Sequence, residues 1–75
     1  MPLYNDVIEL ARPYLGPAAE QFVSRQVNGH LDVSSDQLTG LHLEELSKWC
    51  FISGKLIMAE AKAEEFSRRV KLLKG

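Results

Sequence analysis

The sequence predicts an all-α fold: a small bundle of three to four main helices forming one domain over residues 1–75. Three observations lead there. Apolar residues recur at helical spacing through most of the chain, and Gly or Pro punctuation at Gly16-Pro17, Asn28-Gly29 and Thr39-Gly40 falls between the periodic stretches. Hydrophobic residues at 45% and charged residues at 25% match an ordered globular chain rather than a disordered one. A domain this small buries only about 60% of its unfolded surface, so cover from a partner is expected.

The first helix is expected over 3–15. Leu3, Val7, Leu10 and Tyr14 recur at spacings of four, three and four, with Tyr4, Ile8, Ala11 and Leu15 beside them. Pro2 suits the first turn, and Asn5 or Asp6 suits the positive end of the helix dipole. Pro13 lacks the amide that would bond to Glu9 and disfavours helical angles at Arg12, so a kink or early stop is expected there.

Gly16 can take the left-handed cap conformation and Pro17 is preset for a helix start, which places a second helix over 17–29. Its apolar stripe is Ala19, Phe22, Val23, Val27 and His30, with Asn28-Gly29 as its stop. Ser34-Ser35-Asp36-Gln37 has the form of a capping box and can start a short turn. Thr39 can cap the next helix, with Glu44 and Glu45 in its early turns.

The remaining helices are expected over 40–57 and 60–74, or as one continuous helix. From Leu43 to Leu73, thirty-one residues pass without a proline. Within them Trp49, Ile52, Leu56, Ala59, Ala63, Phe66, Val70 and Leu73 keep alternating spacings of three and four, which puts all eight on one side of a helix. A continuous helix would be about 50 Å long and would need cover from another molecule, because the first two helices reach only about 20 Å. Leu46 to Met58 is apolar in nearly every direction, whereas the stretch from Ala59 onward has a single stripe. That contrast favours a break near Met58 to Glu60, with the last helix folded back onto the central one; Ser53, Gly54, Ala59, Ala61 and Ala63 allow close approach.

The residues that would carry chemistry do not converge. His30, His42 and Cys50 are too few for a closed Cys/His zinc site, and no metal or cofactor is expected. His42 is read as a cap or surface residue, and His30 as a partly buried packing residue. Cys50 lies among Trp49, Phe51 and Ile52, an apolar setting that raises a thiol pKa, so it is expected in the core. Glu44/Glu45 and Glu64/Glu65 are adjacent pairs that diverge by about 100° on a helix. The glycines are too scattered to cradle a phosphate. No enzymatic activity is expected.

A net charge of −1 gives no general pull toward nucleic acid or anionic membrane. The single cysteine cannot form an internal disulfide, and the first residues lack the basic and apolar regions of a secretory signal, so a cytoplasmic location is expected. In the heptad register that takes Trp49 and Ile52 as a and d, the g positions Lys48, Lys55, Lys62 and Arg69 are all basic. The expectation is an interaction module that pairs with a second copy, as a homodimer, or with an acidic helical partner. Its contact residues would be Phe51, Met58 and Phe66, with Lys55, Lys62 and Arg69 at the rim. The alternative is a small nucleic-acid-binding regulator using the basic C-terminal turn of Arg68, Arg69, Lys71 and Lys74.

Overall fold

The computed structural model describes residues 3–73, so the expectations for Pro2 and Lys74 lie outside the described residues. Helix α1, Leu3–Leu15, buries Leu3, Val7, Ile8 and Ala11 on the face its spacing marks. It does not stop at Pro13, which lies inside the helix and is exposed. The helix ends two residues later, where Leu15 leaves helical angles (φ −120°) and Gly16 turns to φ +58°. That left-handed conformation is nearly free for glycine and strained for other residues.

Pro17 opens a 3-10 turn, Gly16–Ala18, which leads into α2, Ala19–Ser24. The α2 segment packs against α1 through Ala19 and Val23. The expected end at Asn28-Gly29 is corrected. The chain widens into a π turn, Arg25–His30, which buries Gln26 and Val27, and the Leu31 amide bonds to the Gln26 carbonyl at 3.1 Å. The left-handed residue comes later, at Asp32 (φ 57°). An aspartate tolerates that conformation better than most side chains.

Two 3-10 turns cross to the next helix. At Ser35–Gln37 the capping box forms: Gln37 Oε1 accepts from the Ser34 amide at 3.5 Å, while the Ser34 hydroxyl donates to Asp36 at 2.8 Å. At Gly40–His42 the histidine ring closes the turn, with Nδ1 accepting from the Thr39 amide at 3.0 Å. His42 is therefore a capping residue.

Helix α3 is Leu43–Gly54, with Glu44 and Glu45 in its first turn; α4 is Glu60–Lys71, with Glu60 in its first turn and Arg68, Arg69 and Lys71 in its last. The two pack against each other as the folded-back arrangement requires. The molecule measures 30 × 22 × 21 Å, well short of the span of a continuous helix over the same residues. The break starts earlier than the sequence suggests. The Leu56 and Ile57 amides bond three residues back, to Ser53 and Gly54, and Ala59 is extended (ψ 146°) before α4 begins. No strand occurs among the described residues.

The buried face of α3 also differs from the expected stripe. Leu43, Leu46, Ser47, Cys50 and Gly54 point inward, while Trp49 is half-buried and Ile52, Leu56 and Ala59 are exposed. On α4 the expected residues Ala63, Phe66 and Val70 are buried. Phe66 sits at the centre, with its ring 5.3 Å from Tyr14 and 6.0 Å from Phe22 between centroids.

Candidate functional site

Core packing leaves several surfaces with distinct chemistry; besides the three that follow, a groove lined by Leu41, Glu44, Glu45, Ser47, Lys48 and Lys71 adjoins the third. The first is a corner formed by the end of α3 and the turn that follows it. Leu56 is 83% exposed, Ile57 60% and Ile52 39%. Beside them lies a groove of about 320 Å³ whose opposite wall includes Ala18, Phe22 and Arg25. Its floor is tied together by Gln26, which is almost fully buried. The Gln26 side-chain amide donates to the Phe22 carbonyl at 3.3 Å, and its oxygen accepts from the Ser53 hydroxyl at 3.0 Å. One glutamine thereby joins the π turn to α3, and burying its amide is tolerable because both ends are paired.

The same flank of α3 carries Trp49, on which the His30 ring stacks at 4.0 Å and 10°. His30 is exposed instead of partly buried, so the expectation of a packing residue on the core stripe is corrected. Gln26 takes the buried place, one residue before Val27.

The second surface lies between α1 and α4. Tyr14 donates a hydrogen bond to Glu65 in a cleft also lined by Met58, Lys62 and Arg69. Burial raises the Tyr14 pKa, and the bond to Glu65 adds to that rise. The bond from Tyr14, helped by Lys62 and Arg69, holds the Glu65 carboxyl below its ordinary range.

The third surface is the seam between α3 and α4 on the side away from the corner. Lys48, Phe51, Arg68 and Lys71 line it, and Lys55 Nζ lies 4.8 Å from the Phe51 ring centroid.

The expected contact residues are thus dispersed. Phe66 is fully buried and cannot meet a partner while the fold is intact, so its place is the core. Phe51 and Met58 are half-buried in different places, Phe51 in the α3–α4 seam and Met58 in the Tyr14 cleft. The basic row does not survive the turn either. Lys48 and Lys55 stay on α3, while Lys62 and Arg69 flank Glu65. Arg68 and Arg69 likewise point to different surfaces.

Cys50 is a free thiol buried in the core, and loss of solvent pushes its pKa up to about 12. Near neutral pH it is held as the unreactive thiol. Alkylation of the native protein is expected to proceed only through unfolding, at a rate that tracks stability as denaturant is added. Modification as fast as that of a small free thiol would contradict this placement.

Among the described residues no group of three or more His, Cys, Asp or Glu side chains is placed to hold a metal, and no helix is long and apolar enough to cross a membrane. No protein-family model, no curated protein and no solved structure matches the chain.

Proposed function

We propose that the chain is a non-catalytic helical interaction module that pairs with a second copy of itself through the Leu56–Ile57 corner. The observation that carries the reading is the exposure of Ile52, Leu56 and Ile57 together beside a groove walled by Ala18 and Phe22. A two-fold interface needs one patch complementary to itself. Here an apolar ridge and a groove that can receive it lie side by side, so a two-fold axis through the corner would seat each ridge in the other copy's groove. The lone charged lining residue, Arg25, would stay at the rim in water. A free Cys50 thiol suits a reducing compartment such as the cytoplasm.

Light scattering after size exclusion, run across micromolar concentrations, tests the reading. The wild type should be a dimer. Leu56→Glu combined with Ile57→Glu should be a monomer with an unchanged circular dichroism spectrum, because both side chains lie outside the core and a buried carboxylate at an apolar interface is strongly unfavourable. A wild type that stays monomeric at every concentration, or a double variant that stays dimeric, would sink the proposal.

A further inference from the structure

The outward face of α3 carries a balanced set of charges. The seam and the groove that adjoins it share Ser47, Lys48 and Lys71, and together they hold three carboxylates, Glu44, Glu45 and Glu64, against three cations, Lys48, Arg68 and Lys71. Such a face has no preference for a partner of one sign; it suits a partner that carries the same mixture. The turn Gly40–His42 runs directly into α3, since Leu43 already has helical angles (φ −64°, ψ −35°). Leu41, Glu44, Lys48 and Phe51 then follow at spacings of three, four and three, along one stripe. Leu41 is 94% exposed, more than any other large apolar side chain among the described residues. At the other end of the stripe the Phe51 ring is half-buried in the seam.

We infer that this stripe is a second self-pairing surface, on which the α3 helices of two copies pack antiparallel about a two-fold axis at the level of Leu46. In such a pair, residues equally far on either side of the axis face each other. Leu41 and Phe51 lie five residues either side of Leu46, and Glu44 and Lys48 lie two either side. One register therefore sets Leu41 of each copy on Phe51 of the other and Glu44 of each against Lys48 of the other. An axis moved to Glu44 or to Lys48 puts like charges together, as does parallel packing, so the charges specify both the direction and the register. Lys48 is exposed, and its Nζ lies 5.6 Å from the Trp49 ring centroid, near the outer limit of attraction to a ring, so it is free to turn to a carboxylate. Lys55, 4.8 Å from the Phe51 ring centroid, can rest its stem beside the incoming leucine with its head in water. Few side chains meet here, which makes this the weaker of the two contacts, one that joins corner-paired dimers at high concentration. The corner lies on the flank of α3 that faces Gln26, so one copy can use both surfaces.

The test is sedimentation equilibrium of the full chain carrying Leu56→Glu and Ile57→Glu, which disables the corner, at concentrations from about 10 μM to 1 mM. A reversible dimer with a dissociation constant of about 0.1–1 mM is expected. Adding Lys48→Glu should weaken it about tenfold or more, because each substitution acts twice across the axis, and adding Glu44→Lys should do the same. Leu41→Ser should cost a similar factor with no change in circular dichroism, since the side chain lies outside the core. An equimolar mixture of the Lys48→Glu and Glu44→Lys chains should pair about as well as the parent, and so should one chain carrying both changes. That recovery is a readout no misfolded variant can give. A chain that stays monomeric to about 1 mM, an affinity unmoved by either charge reversal, or a mixture no better than its components would overturn the inference. Because the corner is disabled throughout, none of these outcomes bears on pairing through Leu56 and Ile57, which the chain with an intact corner tests by itself.

Discussion

Phe66→Ala is expected to lower the unfolding free energy by about 3–5 kcal/mol, measured by urea denaturation followed by circular dichroism. The ring is fully buried and lies between Tyr14 of α1 and Phe22 of α2, so its removal takes contact surface from three helices at once. Small domains hold about 0.05–0.15 kcal/mol of stability per residue, which for this chain is about 4–11 kcal/mol in all. The variant should therefore lose between about a quarter and all of that stability, and Phe66→Leu should recover roughly half of the loss. The outcome also tests placement. An interface residue would convert a dimer into a stable monomer; a core residue destabilises the protomer itself. A Phe66→Ala variant within about 1 kcal/mol of wild type would contradict the central position of this ring.

Much of the fold is legible in the sequence because its signals are local. Gly16-Pro17 marks a turn by backbone chemistry alone, and Ser34 to Gln37 forms its capping box within four residues. The faces of α1 and α4 follow from spacing, since each presents one apolar stripe. Helix α3 is harder. Its apolar residues exceed what one face can hold, so spacing admits more than one phase. The stripe through Trp49, Ile52 and Leu56 is continuous with that of α4 only if the helix is unbroken, and the turn over residues 55–59 resets the angle. The true inward face includes Ser47 and Gly54, which hydrophobicity ranks low. The Ser47 hydroxyl is satisfied locally by the Glu44 carbonyl at 2.8 Å, and Gly54 faces inward because α4 comes close.

The exposed surfaces are harder still to read from sequence. Gln26 is buried because Ser53, twenty-seven residues away, meets its side-chain oxygen, and no local pattern announces such a partner. The basic residues on α3 and α4 read as one heptad row along the chain. Folding back separates Lys62 and Arg69 from Lys48 and Lys55, and brings Arg68 and Lys71 to Lys48 instead. Membership of each surface is set by the turn at Lys55 to Ala59, and the same turn leaves Leu56 and Ile57 exposed. One short loop therefore decides both the fold and the residues that share each surface.

The closest test of that arrangement is Ala63→Leu, expected to cost about 1–3 kcal/mol or more and to loosen the α3–α4 seam. Ala63 is fully buried, and its methyl group would lie 3.4 Å from a side-chain carbon placed on Gly54. A leucine there must displace either the backbone of α3 at Gly54 or the half-buried Met58, whose methyl also approaches this point at 3.7 Å. The Met58 methyl is the far end of a flexible side chain and can swing aside, so the strain falls on the close approach of the α3 and α4 backbones at Gly54 and Ala63. Gly54→Ala is the informative contrast. Its added methyl meets ordinary van der Waals contact at 3.4 Å, and alanine in place of glycine favours a helical position by up to about 1 kcal/mol, so the variant should match wild type or gain up to that amount. A large loss for Ala63→Leu with no loss for Gly54→Ala, both read from urea midpoints, is the signature of helices in contact through small residues. Equal tolerance of both substitutions would mean that α4 does not pack here, and that the chain beyond Met58 finds its cover elsewhere. With α4 displaced, the seam formed by Lys48, Phe51, Arg68 and Lys71 would be lost as well.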